Sequence, residues 1–145
     1  MITANGKRGK VDLITDGKVI ASLQDNKFSF ELDERTFTIK REGHLFPTYQ
    51  LWSGDNVIVS AKQVPLLKRY SVTYAGQEWT LKAIGFMEKK FRLYRNGDQV
   101  GSVTPTHPFL NPYKEVVIDL PNELPLEAQA FLMWRIMGLW GETGD

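Results

Sequence analysis

Cysteine is absent from the 145 residues, which removes disulfides, thiolate catalysis and cysteine-ligated zinc at once. Histidine is nearly absent: His44 and His107 are the only two, both fall in expected loops, and neither has a second histidine at metal-ligand spacing. There is no G-x-S-x-G elbow, no P-loop and no helix with paired histidines, and Gly85 or Gly97 taken singly is turn chemistry rather than a phosphate cradle. No enzyme activity, no metal and no cofactor is therefore expected. An excess of one charge is also missing, since eighteen basic residues face seventeen acidic ones, and nothing draws the whole chain toward nucleic acid. Behind Lys7, Arg8 and Lys10 there is no apolar run of the kind a signal peptide needs, so the expected location is cytoplasmic.

One long hydrophobic run is present, Leu126 to Trp140, after a polar approach from Asp119 to Pro125. A membrane span needs about 20 largely apolar residues; this run is shorter and is interrupted by Glu127, Gln129, Arg135 and Gly138. As a helix over about 125–140 it measures roughly 24 Å. It is apolar on nearly every side, and a helix without a polar face must be surrounded by protein or lipid.

From Val11 to Ile118 the pattern changes to period-two alternation with Gly, Asn and Asp at short intervals, which predicts about eleven antiparallel strands over residues 10–119. Asp16-Gly17, Gly54-Asp55, Ala75-Gly76 and Asn96-Gly97 supply turn residues that tolerate positive φ. Sliding the chain on itself by 42 positions lays Ser29–Trp52 on Ser71–Tyr94, and one inserted residue then brings Gly54-Asp55 onto Gly97-Asp98. With Gly85-Phe86-Met87 as a three-residue turn, Leu81 faces Phe91, Trp79 faces Leu93 and Lys82 faces Lys90; the same offset pairs Ile39 with Tyr49 and Phe37 with Leu51.

Strands of six or seven residues are each about 20 Å long, close to the length of the helix. Eight strands make a barrel filled by its own side chains, whereas about eleven or twelve leave room for a helix on the axis. The chain is therefore expected to be one domain over residues 1–145, a closed antiparallel barrel of about twelve strands enclosing the C-terminal helix. With its short Trp/Phe-x-Leu/Ile-Lys strands, the segment Asn96-Gly97-Asp98-Gln99-Val100-Gly101-Ser102-Val103, and Val116-Val117-Ile118-Asp119 leading into the helix, the chain resembles the tubby-like barrels over roughly Gly17 to Trp140. That superfamily includes the LURP-one-related proteins and the phospholipid scramblases. The resemblance implies a threaded barrel and a binding role, with phosphoinositide headgroups or a membrane as ligand. The acidic calcium segment that scramblases carry before the helix is reduced here to Asp119, Glu123 and Glu127, and their palmitoylated cysteines are missing, so calcium-triggered scrambling is not expected.

Two basic groups are candidates for an anionic headgroup: Lys82, Lys89, Lys90 and Arg92, followed by Arg95, around the tip Phe86-Met87, and Lys62, Lys68 and Arg69 around Pro65, Leu66 and Leu67. In the lipid reading the Phe86-Met87 tip enters the bilayer while the lysines meet phosphates, giving a peripheral membrane location. In the plainer reading Glu78 and Glu88 neutralise a solvated charged face, and the domain is a protein-interaction module using the barrel wall or the Pro105 to Pro112 loop. Arg135, inside the apolar helix, needs a carboxylate, carbonyls at the barrel mouth or an outward path, and a structural role is expected for it. A lipocalin-like carrier would require the helix to lie outside the barrel, against its all-round apolarity.

Overall fold

The computed structural model describes residues 1–64, 69–85 and 89–142. In chain order they form β1 (Ile2–Lys7), β2 (Lys10–Thr15), β3 (Lys18–Gln24), β4 (Ser29–Leu32), β5 (Arg35–Glu42), β6 (Thr48–Ser53), β7 (Asn56–Gln63), β8 (Arg69–Tyr74), β9 (Gln77–Ile84), β10 (Lys90–Arg95), β11 (Asp98–Pro105), β12 (Val116–Asp119) and α1 (Leu126–Glu142). Alternation in each strand turns one set of side chains inward: in β9, Trp79 and Leu81 are buried while Glu78 is exposed. All pairings are antiparallel, and β12 joins β1 with Ile118 opposite Ile2, so the sheet runs β3-β2-β1-β12-β11-β10-β9-β8-β7-β6-β5-β4 and curls into a nearly closed barrel. Among the described residues, β3 and β4 are the one sequence-adjacent pair without a ladder between them.

The helix lies inside this wall. Its ten consecutive residues Ala128 to Met137 are all buried, and at 3.6 residues per turn such a stretch faces every direction. Each fully buried Phe or Leu in it contributes about 1.5–3 kcal/mol by leaving water. Side chains fix its position at both ends: Glu123 pairs with Arg95 at 2.6 Å and Glu127 approaches Arg35 at 3.7 Å near its start, while Trp140 Nε1 donates to the Lys89 carbonyl at 3.0 Å near its finish.

A strand missed by the alternation pattern is β1, whose inward residues are Ile2 and Ala4 and whose remainder is polar. It runs so close to β2 that a Cβ on Gly6 would lie 2.1 Å from the Lys10 carbonyl oxygen, which a side chain there cannot satisfy. Registers differ from expectation by two residues. Leu81 faces Leu93 and Ile39 faces Leu51, because the connections 85–89 and 43–47 are five residues long rather than three. A slip of two keeps every side chain on its expected face.

The repeat is more regular than an alignment with an insertion. Displacement by 42 carries β5, β6 and β7 onto β9, β10 and β11 with no residue inserted, and the bulge between Leu51 and Trp52 onto the one between Leu93 and Tyr94. A third copy is present: β2 and β3 carry the same bulge between Leu13 and Ile14. The barrel is thus three four-stranded meanders, β12-β1-β2-β3, β4-β5-β6-β7 and β8-β9-β10-β11.

Candidate functional site

Hairpins that alternate in direction put every second connection at the same end of the barrel. One end holds only two-residue turns between strands: Asp16-Gly17, Asp33-Glu34, Gly54-Asp55, Ala75-Gly76 and Asn96-Gly97. At the other end lie the Arg8-Gly9 turn and the longer connections 25–28, 43–47, 64–68, 85–89 and 106–115, together with the end of α1. The large apolar side chains that sequence reasoning missed belong to this long-loop end: Phe28 and Phe46 are exposed, and Leu45, Phe109 and Leu110 reach 82%, 70% and 91% exposure. Their signal was available in the sequence, since counting hairpin connections alternately assigns all five to one end.

Just below those loops, on the outer wall, the strands bring cations together. Arg69 on β8 stands directly opposite Lys82 on β9, which stands directly opposite Arg92 on β10. This corrects the expected Lys82–Lys90 pair: Lys90 faces Ile84 and lies diagonal to Lys82. Lys62, opposite Ser71 on β8, is likewise diagonal to Arg69. The two basic groups of the sequence are therefore one patch, Lys62, Arg69, Lys82, Lys90 and Arg92, on the β7–β10 wall. Lys68, Phe86 and Met87 lie outside the described residues, as do Pro65, Leu66, Leu67 and Glu88.

Like charges directly opposed across a ladder oppose folding by something on the order of 0.2–1 kcal/mol per pair. Among the described residues none of the five is in an ion pair. Glu78 does not neutralise them; it accepts a hydrogen bond from Ser71 Oγ at 2.7 Å. Asp119 stands in the same row two strands beyond Arg92, behind Ser102. The Lys82 ammonium lies 6.0 Å from the Tyr94 ring, and the Arg92 Nε is buried without a hydrogen-bond partner among the described residues. Lys89 is set apart from the patch: with Arg8, Leu110, Tyr113 and Trp140 it lines a cleft of about 350 Å³ at the barrel mouth. An array of this kind binds anions by charge and performs no bond chemistry.

Arg135 belongs to a separate, interior group. Its guanidinium pairs with the Glu142 carboxylate and stacks 4.4 Å from the Tyr49 ring. Burial pushes the nearby Tyr70 phenol above its ordinary pKa, opposed by the positive charge of Arg135. Arg135 is thus used in the packing of the mouth, through a carboxylate partner. His44 and His107 are both exposed on long loops, and among the described residues no cluster of three or more His, Cys, Asp or Glu could hold a metal.

Among the described residues no helix is long and apolar enough to cross a membrane. Comparison with known proteins finds no match: no family model fits the chain, and no curated protein and no solved structure is significantly similar to it.

Proposed function

We propose that the protein is a non-enzymatic binding domain of the tubby-like kind, which sets its basic wall and long-loop end on an anionic phospholipid surface. The observation that carries this reading is the cation row Arg69–Lys82–Arg92, three positive side chains side by side on adjacent strands without a carboxylate partner among the described residues. A fold tolerates such a row more readily when an anion relieves it, and each Lys or Arg held near an anionic membrane surface is worth about 1 kcal/mol. The exposed Leu45, Phe109 and Leu110 on the adjoining end add apolar area that a headgroup layer can take up.

Co-sedimentation with vesicles containing phosphatidylserine tests it. Binding is expected, weakening as salt screens the charges, and Arg69→Glu with Lys82→Glu is expected to abolish it while circular dichroism stays unchanged. Absence of binding, or binding indifferent to the double reversal, rejects the lipid reading. It would leave a protein-interaction module using the 106–115 loop, whose Phe109 and Leu110 face solvent.

A further inference from the structure

Three copies of one meander predict three zipped junctions, yet one is open. At the junction after the second copy, Ala61 on β7 faces Val72 on β8 and Ser60 faces Thr73; after the third, Val103 on β11 faces Ile118 on β12. The shared bulges and registers place Leu23 on β3 where Ala61 stands on β7, and Phe30 on β4 where Val72 stands on β8. Leu23 and Phe30 should therefore form a rung. Instead no backbone ladder crosses from β3 to β4, and a groove of about 600 Å³ occupies the place, with Val19 to Ser22 on one side and Ser29 to Glu31 on the other.

The carbonyls at the closed end of this seam are committed elsewhere. Trp134 Nε1, from the buried helix, donates to the Gln24 and Lys27 oxygens at 2.9 and 3.2 Å, and the Ile39 amide donates to the Phe28 oxygen at 2.9 Å. The walls of the groove are consequently two sheet edges, each with backbone donors and acceptors facing the gap, and unpaired edges of this kind template a further strand.

We propose that the β3–β4 groove accepts an extended peptide segment from a partner protein as a thirteenth strand. An extended chain carries hydrogen-bonding groups on both of its edges at the strand repeat, so it satisfies both walls together. Charge separates this partner from a phospholipid. The groove lining holds Lys27 and Glu31 and no net charge, and the seam lies diametrically across the barrel from the β9–β10 hairpin of the basic wall. Length is limited as well: β4 offers four residues, so the inserted stretch is short, with side chains alternating between the apolar Ala21–Phe30 side and solvent.

The test uses hydrogen exchange and a synthetic peptide with the sequence of residues 69–74, the strand that zips the equivalent junction. In the free protein the amides of β3 and β4 are expected to exchange faster than those of β7 and β8. The peptide is expected to slow β3 and β4 at least tenfold and leave β7 and β8 unchanged, whereas the same peptide with proline in place of Val72 does nothing. Ser22→Cys with Glu31→Cys, the counterparts of the paired Ser60 and Thr73, closes the seam by a disulfide in a chain that has no other cysteine; oxidised, this variant is expected to lose the peptide effect and regain it on reduction. The proposal is overturned if β3 and β4 are as protected as β7 and β8 without peptide, if the peptide gives no protection, or if the proline peptide or the oxidised variant behaves like the original pair. If the disulfide does not form, the proline comparison decides.

Discussion

The guanidinium of Arg135 reaches the carboxylate of Glu142, two turns further along the same helix, by passing over Gly138. A Cβ on Gly138 would lie 3.2 Å from the Arg135 Nη2 atom. The guanidinium cannot easily give way, since it is held over the Tyr49 ring and lies 5.7 Å from the Trp134 ring. In an exposed helix, replacing Gly by Ala gains up to about 1 kcal/mol. Here Gly138→Ala is expected to lower stability instead, by about 1 kcal/mol, read as a lower midpoint in urea denaturation. Glu142→Gln is expected to cost a similar amount, because Glu142 is itself mostly exposed and water screens the pair. Arg135→Met, which removes the buried charge, is expected to be neutral or stabilising.

Tyr70 makes stability depend on alkaline pH. Its folded pKa lies above the ordinary value of 10.0 through burial, with Arg135 pulling in the opposite direction. The unfolded chain therefore loses this proton at lower pH than the folded one. Stability is complete below pH 10 and falls as pH rises through the folded value. Ultraviolet titration of the phenolates should show a late component that disappears in Tyr70→Phe.

The Asp33-Glu34 turn is built without glycine although both residues have positive φ, 53° and 61°. That region costs an L-residue roughly 1 kcal/mol. Glu34→Gly is expected to raise stability by about 0.5 kcal/mol after the larger chain entropy of glycine is set against it. In thermal unfolding this is a rise of roughly 1–2 °C.

Truncation before Pro125 removes eleven buried helix residues. The empty axis would cost far more than the 5–15 kcal/mol that typically holds a domain together. The truncated chain is expected to show no cooperative unfolding transition and no dispersed amide spectrum; a folded, soluble product would mean that the strands do not need the helix.

The lipid reading also assigns an orientation. Because the chain has no cysteine, single cysteines at Leu45, Leu110 or Val57 can each carry an environment-sensitive dye. On anionic vesicles the emission is expected to shift blue at Leu45 and Leu110, on the long loops, and stay fixed at Val57, beside a tight turn at the other end.

Much of the architecture can be read from the residues, for reasons that also explain what cannot. The helix is legible because no side of Leu126 to Trp140 is polar, and the strands because alternation separates Trp79 and Leu81 from Glu78 and Thr80. The first strand escapes notice since Ala4 and Gly6 carry too little apolar surface for a pattern. Faces follow from alternation but partners do not: partners depend on loop length, so Lys82 was expected against Lys90 and stands against Arg92. The open seam leaves no trace, as Lys27 to Leu32 alternate like any paired strand; what holds it open is Trp134, more than a hundred residues away in the chain.

That seam also bears on how the molecule can be assembled. The helix follows all twelve strands in the chain, and a ring of strands closed by hydrogen bonds would have to be threaded by it or reopened around it. A sheet that stays unlatched along one line needs neither. Its ladders can form as an open ribbon, wrap the helix as a sleeve wraps a rod, and come to rest with the two margins side by side and no rung to break.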